Sequence, residues 1–228
     1  MTGNLYSGLL EFEEMMFVIH YLRTEDIFFD IGANVGIYTL LAAYIKKARV
    51  HCFEPVPSTF YFLKMNIAAN NLENRVSCYN NGVGNIAGKM TFAADLDAMN
   101  KVITGSYKGK VIEAEIVQPD TNFRGYITSN TMLKIDTEGF ELNVLQGADK
   151  LLSDPLVKVI LIEMNESEKI HELLTAKGFT ACSYDPRTRE VAITDHHAKA
   201  NIIYVKDILF VRERVLSAEK FAIRGYEF

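Results

Sequence analysis

Apolar and polar positions along the chain switch between two periods. Short apolar runs at 27–31, 50–54, 131–136 and 157–163, terminated by the acids Asp30, Glu54, Asp136 and Glu163, read as strands, with a further strand at 76–79. Between them the apolar residues take helical spacing. Ile37, Leu40, Leu41, Tyr44 and Ile45 fall at i, i+3, i+4, i+7 and i+8 within 36–48, and Phe60, Leu63 and Ile67 share a face within 58–71. Pro55 and Pro57 end the strand before that second helix, and Ser58 can cap it. Val144, Leu145, Ala148, Leu151 and Leu152 align in a helix opened by Glu138-Gly139-Phe140-Glu141, and a helix near 167–177 stops at Gly178 as its C-cap. An opening helix over 8–22 sets Phe12, Met15, Met16 and Ile19 on one face, with Glu11, Glu13 and Glu14 near its positive end, and is expected beside a cleft.

Strands alternating with helices predict a parallel sheet. The tail, at 179–184, 190–194 and 201–206, is cut by closely spaced turn residues such as Asp185-Pro186-Arg187 and predicts antiparallel edge strands. The expected fold is α/β: a doubly wound, mostly parallel seven-stranded sheet with helices on both faces and antiparallel C-terminal strands. Between 82 and 130 the pattern breaks into β-like runs at 89–92 and 110–117, separated by polar residues with Gly105 and Gly109. This segment is expected to lie over the cleft and shape substrate choice, with Tyr107, Phe123 and Tyr126 available to stack on a ring or to fill local core.

At 228 residues, 49% hydrophobic and 23% charged, the chain is expected to form one domain over 1–228. A net charge of −5, a pI near 5.6 and the lack of a Lys/Arg cluster argue against a nucleic-acid partner held by its backbone. A small-molecule or carbohydrate substrate is expected instead. The longest nearly apolar stretch, 35–45, is too short to span a membrane, and Met1-Thr2-Gly3-Asn4 does not open a signal peptide. Cys52, Cys78 and Cys182 form no C-x-x-C pair and read as buried thiols of a reducing compartment, so the expected location is cytoplasmic.

Chemistry gathers where the strands end. Phe28-Phe29-Asp30-Ile31-Gly32-Ala33-Asn34-Val35-Gly36 has the form of a nucleotide-cofactor turn, with Gly32 allowing a tight turn and close approach to a ligand. The dinucleotide pattern G-x-G-x-x-G fails twice, at Asn34 and Ile37, and no Gly-Lys-Ser/Thr follows. A carboxylate at Asp30 would repel a pyrophosphate, whereas S-adenosylmethionine carries a sulfonium and an ammonium and no phosphate. Glu54, about 20 residues beyond the turn, stands where doubly wound folds hold a ribose diol. The reading is a methyltransferase. Two alternatives stand beside it: an NAD-dependent oxidoreductase with the same strand–glycine–helix–acid layout, and a non-catalytic module that keeps the pocket.

The pairing of Asp30-Ile31-Gly32-Ala33-Asn34-Val35-Gly36 with Leu133-Lys134-Ile135-Asp136-Thr137-Glu138-Gly139-Phe140-Glu141 resembles the FkbM family of methyltransferases, and Phe53-Glu54-Pro55 extends the likeness. The resemblance implies a class I S-adenosylmethionine-dependent fold and O-methylation of hydroxyls on sugars or natural products. It further implies that Asp30, Gly32, Asn34 and Gly36 hold the methionine end, that Glu54 with Pro55 serves the ribose, and that Asp136 faces the transferred methyl. Gln118-Pro119-Asp120-Thr121 departs from the family's Leu-Asp pair, which leaves Asp120 without an assigned role.

A hydroxyl acceptor must lose a proton. Asp136 is the leading base, followed by Glu138, with Glu163 and one of His196 or His197 as further candidates, since adjacent residues of an extended chain point to opposite sides. Asp136, Glu138, Glu163 and Asn165 offer the hard oxygens Mg²⁺ prefers, but their spacing is not diagnostic and no metal is assigned.

Overall fold

The computed structural model describes residues 11–93, 109, 111–197, 200–220, 222–223 and 226–227. Residues 8–10 of the expected first helix, together with Gly105 and Tyr107, lie outside these. Helix α1 (Phe12–Tyr21) leads into β1 (Ile27–Ile31), then α2 (Ile37–Leu40), which widens into one π turn over Leu41–Ile45. Next come β2 (Arg49–Phe53), α3 (Pro57–Ala69) and β3 (Val76–Tyr79). The segment after them builds β4 (Gly82–Val83), β5 (Gly88–Ala93), β6 (Val111–Val117) and the short α4 (Pro119–Asn122). Regular alternation resumes with β7 (Thr131–Ile135), α5 (Glu141–Gln146), α6 (Asp149–Ser153), β8 (Val157–Glu163) and α7 (Ser167–Ala176). Strands β9 (Thr180–Asp185), β10 (Glu190–Ile193) and β11 (Asn201–Val205) precede α8 (Ile208–Leu216).

One sheet runs in the order β10-β9-β11-β8-β7-β1-β2-β3, eight strands rather than the expected seven, because all three tail segments join it. β1 pairs in parallel with β2 on one side and β7 on the other, so the chain winds outward to β3 and returns past its own start. β11 is antiparallel to both β8 and β9, as the turn-rich tail predicts. The period of two divides the core. Ile27, Phe29 and Ile31 pack on the side of α5, α6 and α7, while Phe28 packs with α1, α2 and α8.

Two elements differ from expectation. The helix foreseen across 138–152 is two helices, broken at Gly147, where a Cβ would lie 2.5 Å from the Gly84 carbonyl oxygen. Asp120 caps the second one from outside, its carboxylate accepting from Lys150 N at 3.0 Å and Leu151 N at 2.8 Å. α8 was not foreseen at all. It covers α1 from outside, so every residue from Met15 to Tyr21 is buried, not one face alone. Arg214 fastens the pair, donating from Nε to the Tyr21 carbonyl at 2.7 Å and bridging to the buried Asp26. Within the described residues, no helix is long and apolar enough to cross a membrane.

Candidate active site

The crevice beyond the carboxyl ends of β1, β2 and β7 is where the winding reverses, the position at which open α/β sheets receive ligands. A cleft of about 670 Å³ opens there. Gly32, Asn34, Glu54, Pro55, Asp136 and Glu138 all line it, as do Glu11 and Met15 beside α1 and Gly82, Val83 and Phe92 from the small β4-β6-β5 sheet. Of the 82–130 segment, the described residues Gly82, Val83 and Phe92 thus lie on one wall.

Gly32 is glycine for a reason other than ligand approach. At φ +79° its missing Cβ would stand 1.8 Å from the Asp136 carbonyl oxygen, so the turn leaving β1 is pressed against the end of β7. Asn34 follows with φ 50°, and its N–H donates to Glu54 Oε2 at 3.0 Å. Val56 N donates to Glu54 Oε1 at 2.9 Å. Glu54 is buried, and burial lifts its carboxyl to about 7, with the Asp30 charge adding to the rise and the two N–H bonds opposing it. Each of its oxygens keeps a lone pair for a further donor.

Asp30 and Gly36 do not line the cleft. Asp30 shares the parity of Phe28, so its side chain enters the helix layer, where it is fully buried and Thr39 donates to Oδ2 at 2.6 Å. Its Oδ1 has no hydrogen-bond partner among the described residues. Burial raises this carboxyl, and the nearby Lys134 charge opposes that rise. Gly36, at φ +93°, starts α2 and would meet Leu63 Cδ1 at 2.6 Å if it carried a Cβ. In this geometry both residues stand behind the cleft wall, in contact with Thr39 and Leu63.

Lys134 is the cation of the site. Its ammonium donates to Asp136 Oδ2 at 2.8 Å and sits 4.6 Å from the centre of the Tyr38 ring. The Asp136 and Asp30 charges hold it protonated against complete burial. Tyr38 in turn donates to Glu11. Lys134 lay in the motif read from the sequence but received no role, because a lysine inside a strand gave no sign of which acids it would meet.

Residues 137–140 form a tight loop, with Glu138 at φ 56° and Gly139 at φ 99°. Buried Glu141 holds it. Its Oε1 accepts from Thr137 N at 2.7 Å and Thr137 Oγ1 at 2.9 Å, and its Oε2 accepts from Gly139 N and from Asn165 Nδ2, both at 3.1 Å. Asn165 also donates to Glu163, which lies outside the cleft lining and whose carboxyl is raised to about 7, chiefly by burial and then by Asp136. Glu141→Ala leaves two donors of half-buried Thr137 and the exposed Gly139 and Asn165 donors without their acceptor, and is expected to cost about 1–3 kcal/mol. Urea unfolding measures it; an unchanged midpoint would show that the loop holds itself.

The aromatic candidates divide. Phe123 is core, stacked 4.9 Å from Phe29 and 4.6 Å from Phe53, and Tyr126 stacks 4.2 Å from His51; neither lines the cleft. Phe62, Phe92 and Phe140 do line it and went unread, since each looked like one more apolar residue of its own element.

The donor groups suit a cationic, phosphate-free adenosyl ligand. Among the described residues, four carboxylates, from Glu11, Glu54, Asp136 and Glu138, face the cleft against the ammonium of Lys134, and Glu54 retains acceptor capacity for a diol.

Comparison with known proteins agrees with this geometry. Residues 30–185 match the family model of the methyltransferase FkbM domain. The chain is 27% identical over 141 residues to the hexuronic acid methyltransferase AglP of Haloferax volcanii, covering 62% of this chain and 56% of that protein. It is 28% identical over 198 residues to the 31-O-demethyl-FK506 methyltransferase FkbM of Streptomyces tacrolimicus, covering 70% and 74%. The crystal structure of methyltransferase FkbM from Methylobacillus flagellatus superposes with a TM-score of 0.55 at 16% identity, covering 81% of this chain and 44% of that one, which establishes a shared fold.

Proposed function

The chain belongs to the FkbM family of methyltransferases, and from that premise we propose that it uses S-adenosylmethionine to methylate a hydroxyl of a sugar or natural-product-like small molecule. The observation that carries the donor assignment is the charge of the cleft, where the described residues set four carboxylates against one lysine. A cationic ligand relieves that repulsion and a pyrophosphate worsens it. Two relatives are named for methylating a hexuronic acid and 31-O-demethyl-FK506, which supports a hydroxylated acceptor. A polyanionic nucleic acid is disfavoured by the same carboxylates.

When bound, S-adenosylmethionine supplies an electrophilic methyl carbon on a sulfonium. Glu54 would receive the ribose hydroxyls on its spare lone pairs, with Pro55 beside it, while Gly32 and Asn34 border the methionine end. Lys134 occupies Asp136 Oδ2, which leaves Oδ1 to accept the proton of the acceptor hydroxyl. Glu138 stands beside it as the second acid, and Phe62, Phe92 and Phe140 supply apolar walls that seat the acceptor and exclude water. Incubation with methyl-labelled donor and a panel of sugars, uronic acids and hydroxylated small molecules tests the proposal. Label in a hydroxyl is the expected product; a bound donor with no label across the panel would favour a non-catalytic module.

Glu54 makes donor binding depend on pH. Its folded-state value of about 7 lies above the ordinary carboxyl value of 4.5, so its contribution to stability is full below about 4.5 and is lost as pH rises through about 7. Ribose hydroxyls donate to the ionised form, so binding releases a proton, and affinity should fall about tenfold from pH 8 to pH 6. Calorimetry in two buffers of different ionisation heat measures this. A dependence that persists unchanged in Glu54→Gln would remove Glu54 from the ribose site.

A further inference from the structure

We propose that Glu168, His196 and His197 form a binding site for a divalent first-row transition metal ion, Zn²⁺ above all, separate from the cleft and independent of the methyl-transfer reading. None of the three lines the cleft. Glu168 stands in the first turn of α7, and both histidines sit in the turn that precedes β11. An extended chain would send adjacent imidazoles to opposite sides. Here the chain turns instead, with His197 N donating to Asp195 Oδ1 at 2.8 Å, and the two rings lie 4.0 Å apart at 39°. Both reach the same carboxylate, His197 Nε2 at 3.0 Å from Glu168 Oε1 and His196 Nε2 at 3.5 Å from Oε2.

These spacings are those of a ligand set. Bonds of about 2.0–2.2 Å to a tetrahedral ion place its donor atoms about 3.4 Å apart, and one ligand atom from each of the three residues lies within 4.8 Å of the others. Glu168 is near enough to pair with either ring, and Asp195 Oδ1 lies 3.7 Å from His196 Nδ1, yet the buried His196 Nε2, 3.5 Å from Glu168 Oε2, makes no hydrogen bond among the described residues. A buried, unpartnered ring nitrogen aimed at a carboxylate is what a ligand position looks like before the ion enters. The ring is also held in place. His171 stacks on it at 4.0 Å and 9°, and His171 is itself fixed by a 3.0 Å contact between Nδ1 and Tyr204 Oη.

Two imidazoles and one carboxylate suit Zn²⁺ and its neighbours in the first transition row, not Mg²⁺ or Ca²⁺, which take oxygen. Three protein ligands leave a further position for water or a substrate oxygen. The ion would tie α7 to the chain entering β11, at the rim where Met164 N donates to the Ala200 carbonyl at 2.7 Å.

Tag-free protein, stripped with EDTA and dialysed, is titrated with Zn²⁺ against a chromophoric chelator. One saturable equivalent is expected, with an X-ray absorption shell of nitrogen and oxygen at about 2.0–2.1 Å. Loss even of outer-shell partners weakens metal sites up to about 100-fold, so His196→Ala, His197→Ala and Glu168→Gln should each weaken binding about 100-fold or more, with circular dichroism unchanged. The Glu168 and His197 side chains are 69% and 54% exposed, so their replacement spares the core, and titration of the unaltered protein decides the matter without any variant. Absence of a stoichiometric site, or full retention of Zn²⁺ by His196→Ala, would overturn the proposal and leave the cluster as ion pairs alone.

Discussion

Replacing Gly32 by alanine is expected to abolish donor binding and to destabilise the fold by more than about 4 kcal/mol. The added methyl would meet the Asp136 carbonyl oxygen at 1.8 Å and its carbonyl carbon at 2.8 Å, at a φ of +79° that already resists a side chain. Both contacts are backbone, so no rotamer change relieves them. The ends of β1 and β7 are tied at this point, Asp136 N donating to the Ile31 carbonyl at 3.0 Å, and one of them would have to move, carrying Asp136 with it. Gly36→Ala is the milder control, since its neighbour is Leu63 Cδ1, the tip of a side chain that can shift. Urea unfolding and donor calorimetry read both variants. A native midpoint for Gly32→Ala would mean that the two strand ends are not in this contact.

Asp136→Asn carries the largest expected effect on rate. The amide keeps the shape of the carboxylate but cannot take a proton from the acceptor, so kcat should fall about 10²–10⁴-fold while donor affinity changes little. The substitution also removes the ion-pair partner of Lys134, a loss that appears as lower stability. Turnover at saturating substrate separates the two, because a purely structural loss lowers the folded fraction and spares kcat per folded molecule. Wild-type kcat in this variant would exclude Asp136 as the base and leave Glu138 as the acid of the cleft to test next.

Much of the fold was legible because its strands are buried on both faces and its helices on one. The apolar runs at 27–31, 131–136 and 157–163 are central strands, and the glycine-rich turn after the first lies at the winding reversal. What stayed hidden depended on a second element. α1 reads as amphipathic, and only α8, packed across it, makes it buried all round. α8 itself carries a readable start, Asp207 accepting from Phe210 N at 3.0 Å, followed by Ile208, Val211 and Val215 at helical spacing. The strand pattern of the preceding tail drew attention from it.

The site followed the same rule. Glu54 and Asp136 lie just past strand ends, where position alone places them on the rim. Asp30 lies within its strand, and the parity of Phe28 and Phe29 could have shown that it points into the helix layer. The cleft wall is anionic without it, through Glu11, Glu54, Asp136 and Glu138 among the described residues. Glu11 and Lys134 were beyond reach, since the first stands just before α1, far off in sequence, and the second takes its meaning from Asp30 on the neighbouring strand and Asp136 past the end of its own.

The central claim is that this anionic cleft holds a cationic methyl donor, and a calorimetric titration of the purified protein with S-adenosylmethionine and, separately, with NAD tests it most directly. One equivalent of S-adenosylmethionine bound, and no heat from NAD, is the predicted result. Saturable NAD binding with none of S-adenosylmethionine would contradict it.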